Sequence, residues 1–206
     1  IDSTDTLQSS LSSPDTRYNI LLGRVVTDAT DILFVENTGQ LAEHATNLIE
    51  DFNRKALGAV YHTGSTVTEN NIDPFHLDVS SGQYYLSANK ILLSGGTDIN
   101  FISYYRDGSG DWILNTTNTV NNSQYDDNSG VLQSITAGYY VKHSLYAVGS
   151  GPYEKYMLVY AQTEWSTLLL AQQSELPLPP TYFNESIVPI AAIIVQEGAV
   201  SITQIR

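Results

Sequence analysis

Tyr104, Tyr105, Arg106, Asp107, Asp111 and Trp112 all fall within residues 104–112, where they flank the turn Asp107-Gly108-Ser109-Gly110-Asp111. Sugar rings stack their apolar faces on aromatic side chains while their hydroxyls bond carboxylates and guanidinium groups. The chemistry these six residues suit is therefore contact with a glycan. A hairpin turn set between ordinary strand aromatics accounts for the same residues without any ligand.

Other constellations are thinner. Asp107, Asp111, Asp126 and Asp127 offer the carboxylate pairs that glycoside hydrolysis needs, but the separation that decides such chemistry is spatial. Asp126, Asn128 and Gly130 resemble the start of a calcium loop, yet Ala137 stands where the twelfth-position Glu belongs. His44, His62, His76 and His143 are isolated along the chain, and the position four residues after His44 is Leu48 rather than a second ligand. No serine sits in a Gly-x-Ser-x-Gly elbow, and no Gly-rich loop carries a phosphate-binding Lys. Asn115-Thr116-Thr117, Asn121-Asn122-Ser123 and Asn184-Glu185-Ser186 match glycosylation acceptors, a pattern common by chance in an Asn/Ser/Thr-rich chain. The expectation is a binding protein and not an enzyme, with no metal and no cofactor.

The elements that must position these residues are mostly strands. Ile20 to Val26 and Ile32 to Glu36 form a hairpin through Thr27 to Asp31. A helix follows, because Leu41, Ala45, Leu48, Ile49, Phe52 and Ala56 recur at the spacing of one helical face. Asn37 is placed to cap it with Gln40 three residues on, Arg54 and Lys55 occupy its last turn, and Gly58 closes it. Its apolar stripe reads as core. Ala59 to Thr68 reads as a strand, and Glu69 to Pro74 as a polar connection.

Short strands then recur: Phe75 to Val79, Gln83 to Ser87, Lys90 to Leu93, Asn100 to Arg106 and Trp112 to Thr116. Gly and Asn in the turns between them supply positive φ angles. In the pairs Tyr84-Tyr85, Tyr104-Tyr105 and Tyr139-Tyr140 the two side chains point to opposite faces, so one of each pair suits the core. Asn115 to Gly130 reads as a long exposed loop, and Ser166 to Gln173 as a short helix before Pro177 to Pro180. Tyr139 to Val148, Lys155 to Thr163, Pro189 to Gln196 and Ala199 to Ile205 complete the strands. The expected fold is mainly β with an N-terminal α+β portion, one principal helix and an antiparallel sandwich or barrel-like C-terminal unit. Residues 1–16 form a flexible polar entry, 17–72 the α+β unit and 73–206 the β-rich unit; the polar start at Ile1 reads as a processed product or a piece of a longer polypeptide.

Composition narrows the partners. The 206 residues are 42% hydrophobic, enough for a sizeable core, and Tyr supplies 14 of the aromatics. Nine Lys plus Arg against 22 Asp plus Glu leave a net charge of −13, which repels phosphate backbones and anionic headgroups. Nucleic acid and membrane insertion are thus not expected. The absence of cysteine removes disulfides, thiol catalysis and thiolate metal sites.

The strings KHSLYAV (142–148), EKYMLVYAQ (154–162), PIAAIIVQEGAVSITQIR (189–206) and FHLDVSSGQYYL (75–86) resemble a region of tail-fibre and baseplate adhesion-device proteins of tailed bacteriophages. The resemblance covers roughly residues 75 to 206. It implies a virion structural module that takes part in host attachment, commonly as a homotrimer, with other virion proteins and a host-surface glycan as partners. It carries no receptor site onto individual residues. A monomeric carbohydrate-binding module is the alternative from another class, and a polysaccharide-degrading tail enzyme using the four aspartates is a third.

Overall fold

The computed structural model describes residues 24–27, 32–36 and 41–206, with side chains from residue 48 onward. Strands β1 (Arg24–Thr27) and β2 (Ile32–Glu36) pair antiparallel, as the apolar segments on either side of a polar linker require. Helix α1 (Leu41–Leu57) follows. Gly58 ends it at φ 64°, donating its N–H to Arg54 O at 3.0 Å, the left-handed closure glycine permits. The expected N-cap, Asn37, lies outside the described residues.

The core reading of the α1 stripe is corrected. Leu48, Ile49, Phe52 and Leu57 are 55, 60, 68 and 66% exposed. Helical spacing identifies an apolar face; it does not say that the same chain covers it.

The chain separates into two compact units, residues 1–52 and 53–206, so the division falls within α1. In the second unit the expected strand Ala59 to Thr68 breaks into β3 (Ala59–Gly64) and β4 (Val67–Glu69), because Gly64 and Ser65 take φ of 76° and 49°. Next come β5 (Leu77–Val79), β6 (Gly82–Leu86), β7 (Asn89–Leu93), β8 (Phe101–Arg106) and β9 (Trp112–Thr117). The chain continues through β10 (Gln124–Tyr125), β11 (Gln133–Ser134), β12 (Tyr140–Val148), β13 (Lys155–Val159) and β14 (Glu164–Trp165). Helix α2 (Leu168–Gln173), capped by the Thr167 hydroxyl on Leu170 N, precedes β15 (Val188–Gln196) and β16 (Gln204–Ile205).

A seven-stranded sheet in the order β16-β15-β12-β13-β8-β9, with β14 also on β12, carries the largest core. Only the β13–β8 pair is parallel within it. β12 is buried without a break from Val141 to Ala147, and Val141, Leu145 and Ala147 are fully buried. Pro189 fits within β15 because it lies opposite Tyr146, where the register with β12 slips after Leu145. A three-stranded sheet, β3-β6-β7, and the pair β4-β5 lie beside it in sequence. No barrel closes among the described residues, and the mainly β class with one principal helix is as expected.

Two loop readings change. Residues 115–130 are not a long exposed loop: β9 extends to Thr117, Val120 is 1% and Asp126 2% exposed, and β10 pairs with β11. The polar side chains there are spent on local backbone bonds; Asn121 Oδ1 alone accepts from Ser123 N, Ser123 Oγ and Gln124 N. Residues 199–203 are irregular, and only Gln204–Ile205 form a strand.

Candidate functional site

The β8–β9 hairpin holds the six residues of the sequence-derived glycan set and divides them. Arg106 pairs across the ladder with Trp112. Asp107 organises the turn: its Oδ1 accepts from Ser109 N at 2.8 Å and Asp111 N at 2.9 Å, and its Oδ2 from Ser109 Oγ at 2.6 Å. The Ser109 hydroxyl, with the turn amides, holds this carboxyl below its ordinary range.

Arg106 turns inward. Its Nε donates to Asp126 Oδ2 at 2.9 Å and its Nη2 to Asp126 O at 3.0 Å, while its backbone N–H reaches the same carboxylate oxygen at 3.0 Å. Tyr104, 5% exposed, lies edge-on to Phe183 at 5.3 Å and to Trp112 at 6.4 Å between centroids. Tyr105 points to the opposite face and meets Tyr160 at 6.0 Å. The pair alternates as expected, so the aromatics do not converge on one surface; Asp111 is exposed and Trp112 half-buried.

The remaining aspartates are similarly engaged. Asp126 Oδ1 accepts from Asn128 N at 2.8 Å, so both of its oxygens have protein donors, and Asp127 Oδ1 accepts from Ser129 N at 2.9 Å. The turn at Gly130 packs against the Asp107 carbonyl, where an added Cβ would stand 2.5 Å from the oxygen. This corner is a built joint between two Asx turns.

A concave site lies elsewhere. A cavity of about 380 Å³ is lined by Lys142, Gln162, Thr163, Trp165, Glu175 and Leu178, among others. Lys142 is 6% exposed and donates to Gln172 O at 3.3 Å and to Ser174 O, placing its ammonium on the last carbonyls of α2. Burial pushes its pKa down. Gln162 fastens the opposite wall through Nε2 to Leu178 O at 2.8 Å and Leu178 N to Oε1 at 3.1 Å. Trp165 is half-buried on the rim. The sequence signal that was available is the single Lys of β12, set beside His143 and Ser144 between apolar residues.

The histidines take distinct environments; the His44 side chain lies outside the described ones. His62 meets Tyr85 edge-on at 5.3 Å. His143 is fully buried, with Nε2 3.0 Å from Asn121 O and Nδ1 accepting from Ala161 N at 3.0 Å. His76 is isolated in sequence but not in space. Its Nδ1 lies 2.7 Å from Asp98 Oδ1 and its Nε2 3.0 Å from Thr119 Oγ1. One ligand atom each from Asp73, His76 and Asp98 fall within 4.8 Å of one another.

No helix among the described residues is long and apolar enough to cross a membrane. No protein-family model, curated protein or solved structure matches this chain.

Proposed function

We propose that this chain is a structural module of a phage tail fibre or baseplate that takes part in host attachment by binding, and that it works as a homotrimer. The observation that carries the assembly is the exposed face of α1. Leu41, Ala45, Leu48 and Phe52 follow one another at steps of four, three and four residues, the spacing of a coiled-coil seam. Leu48 and Phe52 leave more than half of their surface in water in a single chain. Copies of the same helix offer the matching face, and repetition of a weak site around a trimer raises its avidity through effective concentration.

Support for binding over catalysis comes from the carboxylates. Asp107 and Asp126 are consumed by turn amides and by Arg106, which leaves neither as a free acid or base. A glycan is the natural ligand class for the cavity beside Trp165, which combines an aromatic face with polar side chains in a concavity. That location is separate in sequence from the β8–β9 hairpin.

Light scattering on the intact chain tests the assembly. The expected mass is three times 22.6 kDa, falling to the single-chain value in Leu48→Ser/Phe52→Ser. A single-chain mass at every concentration, unchanged by the substitutions, overturns the trimer.

A further inference from the structure

We propose that Asp73, His76 and Asp98 form a binding site for a first-row divalent cation of the zinc type. The three residues come from two segments: Asp73 and His76 from the turn that precedes β5, where His76 N donates to Asp73 O at 3.2 Å, and Asp98 from the loop between β7 and β8. Thr119 and Asn118, which follow β9, close the group from a further segment.

Asn118 Nδ2 donates to Asp98 Oδ1 at 3.1 Å, and the Thr119 hydroxyl lies 3.3 Å from Asn118 Oδ1 and 3.0 Å from His76 Nε2. His76 Nδ1 stands 2.7 Å from the Asp98 carboxylate oxygen. In the tautomer with the proton on Nε2, donating to Thr119 Oγ1, Nδ1 and Asp98 Oδ1 present adjacent lone pairs to a cation, and the Asp73 carboxylate lies within 4.8 Å as a third donor.

The outer shell has the form metal sites use. A ligating histidine commonly donates its other N–H to an oxygen that fixes the tautomer, here Thr119 Oγ1, and its carboxylate partners are themselves hydrogen-bonded. Asp98 is further positioned by its own N–H donating to Asp78 Oδ1 at 2.8 Å. The Asp73 turn is pinned by Asn70 Oδ1, which accepts from Ile72 N at 2.8 Å and Asp73 N at 3.1 Å. Metal bonds of about 2.0–2.1 Å place tetrahedral ligands roughly 3.3 Å apart, so the exposed Asp73 side chain closes the site by a short rotation. One imidazole and two carboxylates suit zinc and its first-row neighbours, with water completing the shell. Bound metal would tie the turn before β5 to the loop between β7 and β8.

The test is titration of the full chain with Zn²⁺ alone, followed by calorimetry and by the ¹⁵N resonances of the histidine rings. The expected result is one ion per chain and a displaced His76 Nδ1 resonance. Asp98→Asn should weaken binding by about tenfold or more, and His76→Ala should abolish it. Asn accepts the left-handed backbone of Asp98, at φ 48°, so that variant preserves the loop. Asp73→Asn, in an exposed turn, is the second variant and should weaken binding while leaving thermal unfolding of the metal-free chain unchanged. A His76 ring that is indifferent to Zn²⁺, or zinc binding that survives both aspartate substitutions at full strength, overturns the site and leaves a histidine–carboxylate hydrogen bond. Neither result bears on assembly through α1.

Discussion

His143 and Ala161 are joined across the buried core by a hydrogen bond of 3.0 Å from the Ala161 N–H to Nδ1 of the ring. This bond needs the Nδ1 lone pair, and the opposite nitrogen donates to Asn121 O at 3.0 Å, so the ring is held neutral in one tautomer. Burial pushes its pKa down from 6.5 to about 4. The unfolded chain therefore takes a proton that the fold refuses. Stability is whole above pH 6.5 and falls as the pH drops toward 4, by about 2 kcal/mol at about pH 5. Urea unfolding followed from neutral pH down to about pH 5 should show this decline before most carboxylates titrate, and His143→Gln should flatten it.

Asp126 is a buried carboxylate whose ion pair is supplied by Arg106. It is 2% exposed, and the Arg106 guanidinium at 2.9 Å is the cation that faces it. Arg106→Ala strands this carboxylate in the interior, which costs about 3 kcal/mol. Replacing both, as Arg106→Met with Asp126→Asn, should recover much of the loss because no buried charge remains. Denaturant midpoints of the two variants measure the difference.

Gly95 stands at φ 74° where a Cβ would be 2.3 Å from Val79 O. Gly138 has a similar φ of 75°, but nothing lies within 4 Å of its would-be Cβ. Alanine at residue 138 should therefore cost only the left-handed backbone, about 1 kcal/mol. At residue 95 it must also displace a strand carbonyl, and the expected cost is about 3 kcal/mol. Thermal unfolding of the two variants side by side separates strain from collision.

The legible parts of this fold are those governed by neighbours in the chain. The Tyr104-Tyr105 alternation, the closure of α1 at Gly58 and the turn at Gly95 each follow from local rules of side-chain period and backbone φ. What stayed hidden depends on which segments meet. His76 and Asp98 are 22 residues apart, and Lys142 meets the end of α2 some thirty residues later. Asp107 was read as a ligand to sugar because its type suits that role, whereas its oxygens face its own turn amides. The Asn/Ser-rich stretch 115–130 reads as loop because polarity ordinarily marks solvent, yet Val120 and Asp126 anchor it inward. Apolar periodicity in α1 likewise identified an apolar face, which Leu48, Ile49 and Phe52 leave exposed.

The proposed glycan role then makes a choice between two tryptophans. Trp112 packs its ring toward Tyr104 and the cluster around Phe183, so its apolar faces are partly taken by the protein. Trp165 stands at a cavity of about 380 Å³ whose floor carries Lys142 and whose wall is fastened by Gln162 and Leu178. A sugar ring entering there would find an aromatic face already held beside polar groups, with little ordering left to do on binding. Calorimetry with host-type surface polysaccharide should show Trp165→Ala weakening the affinity by about tenfold and Trp112→Ala leaving it within about twofold. Loss confined to Trp112→Ala would move the contact to the β8–β9 hairpin. Binding that ignores both rings would leave α1-mediated assembly standing and remove the glycan from this face of the module.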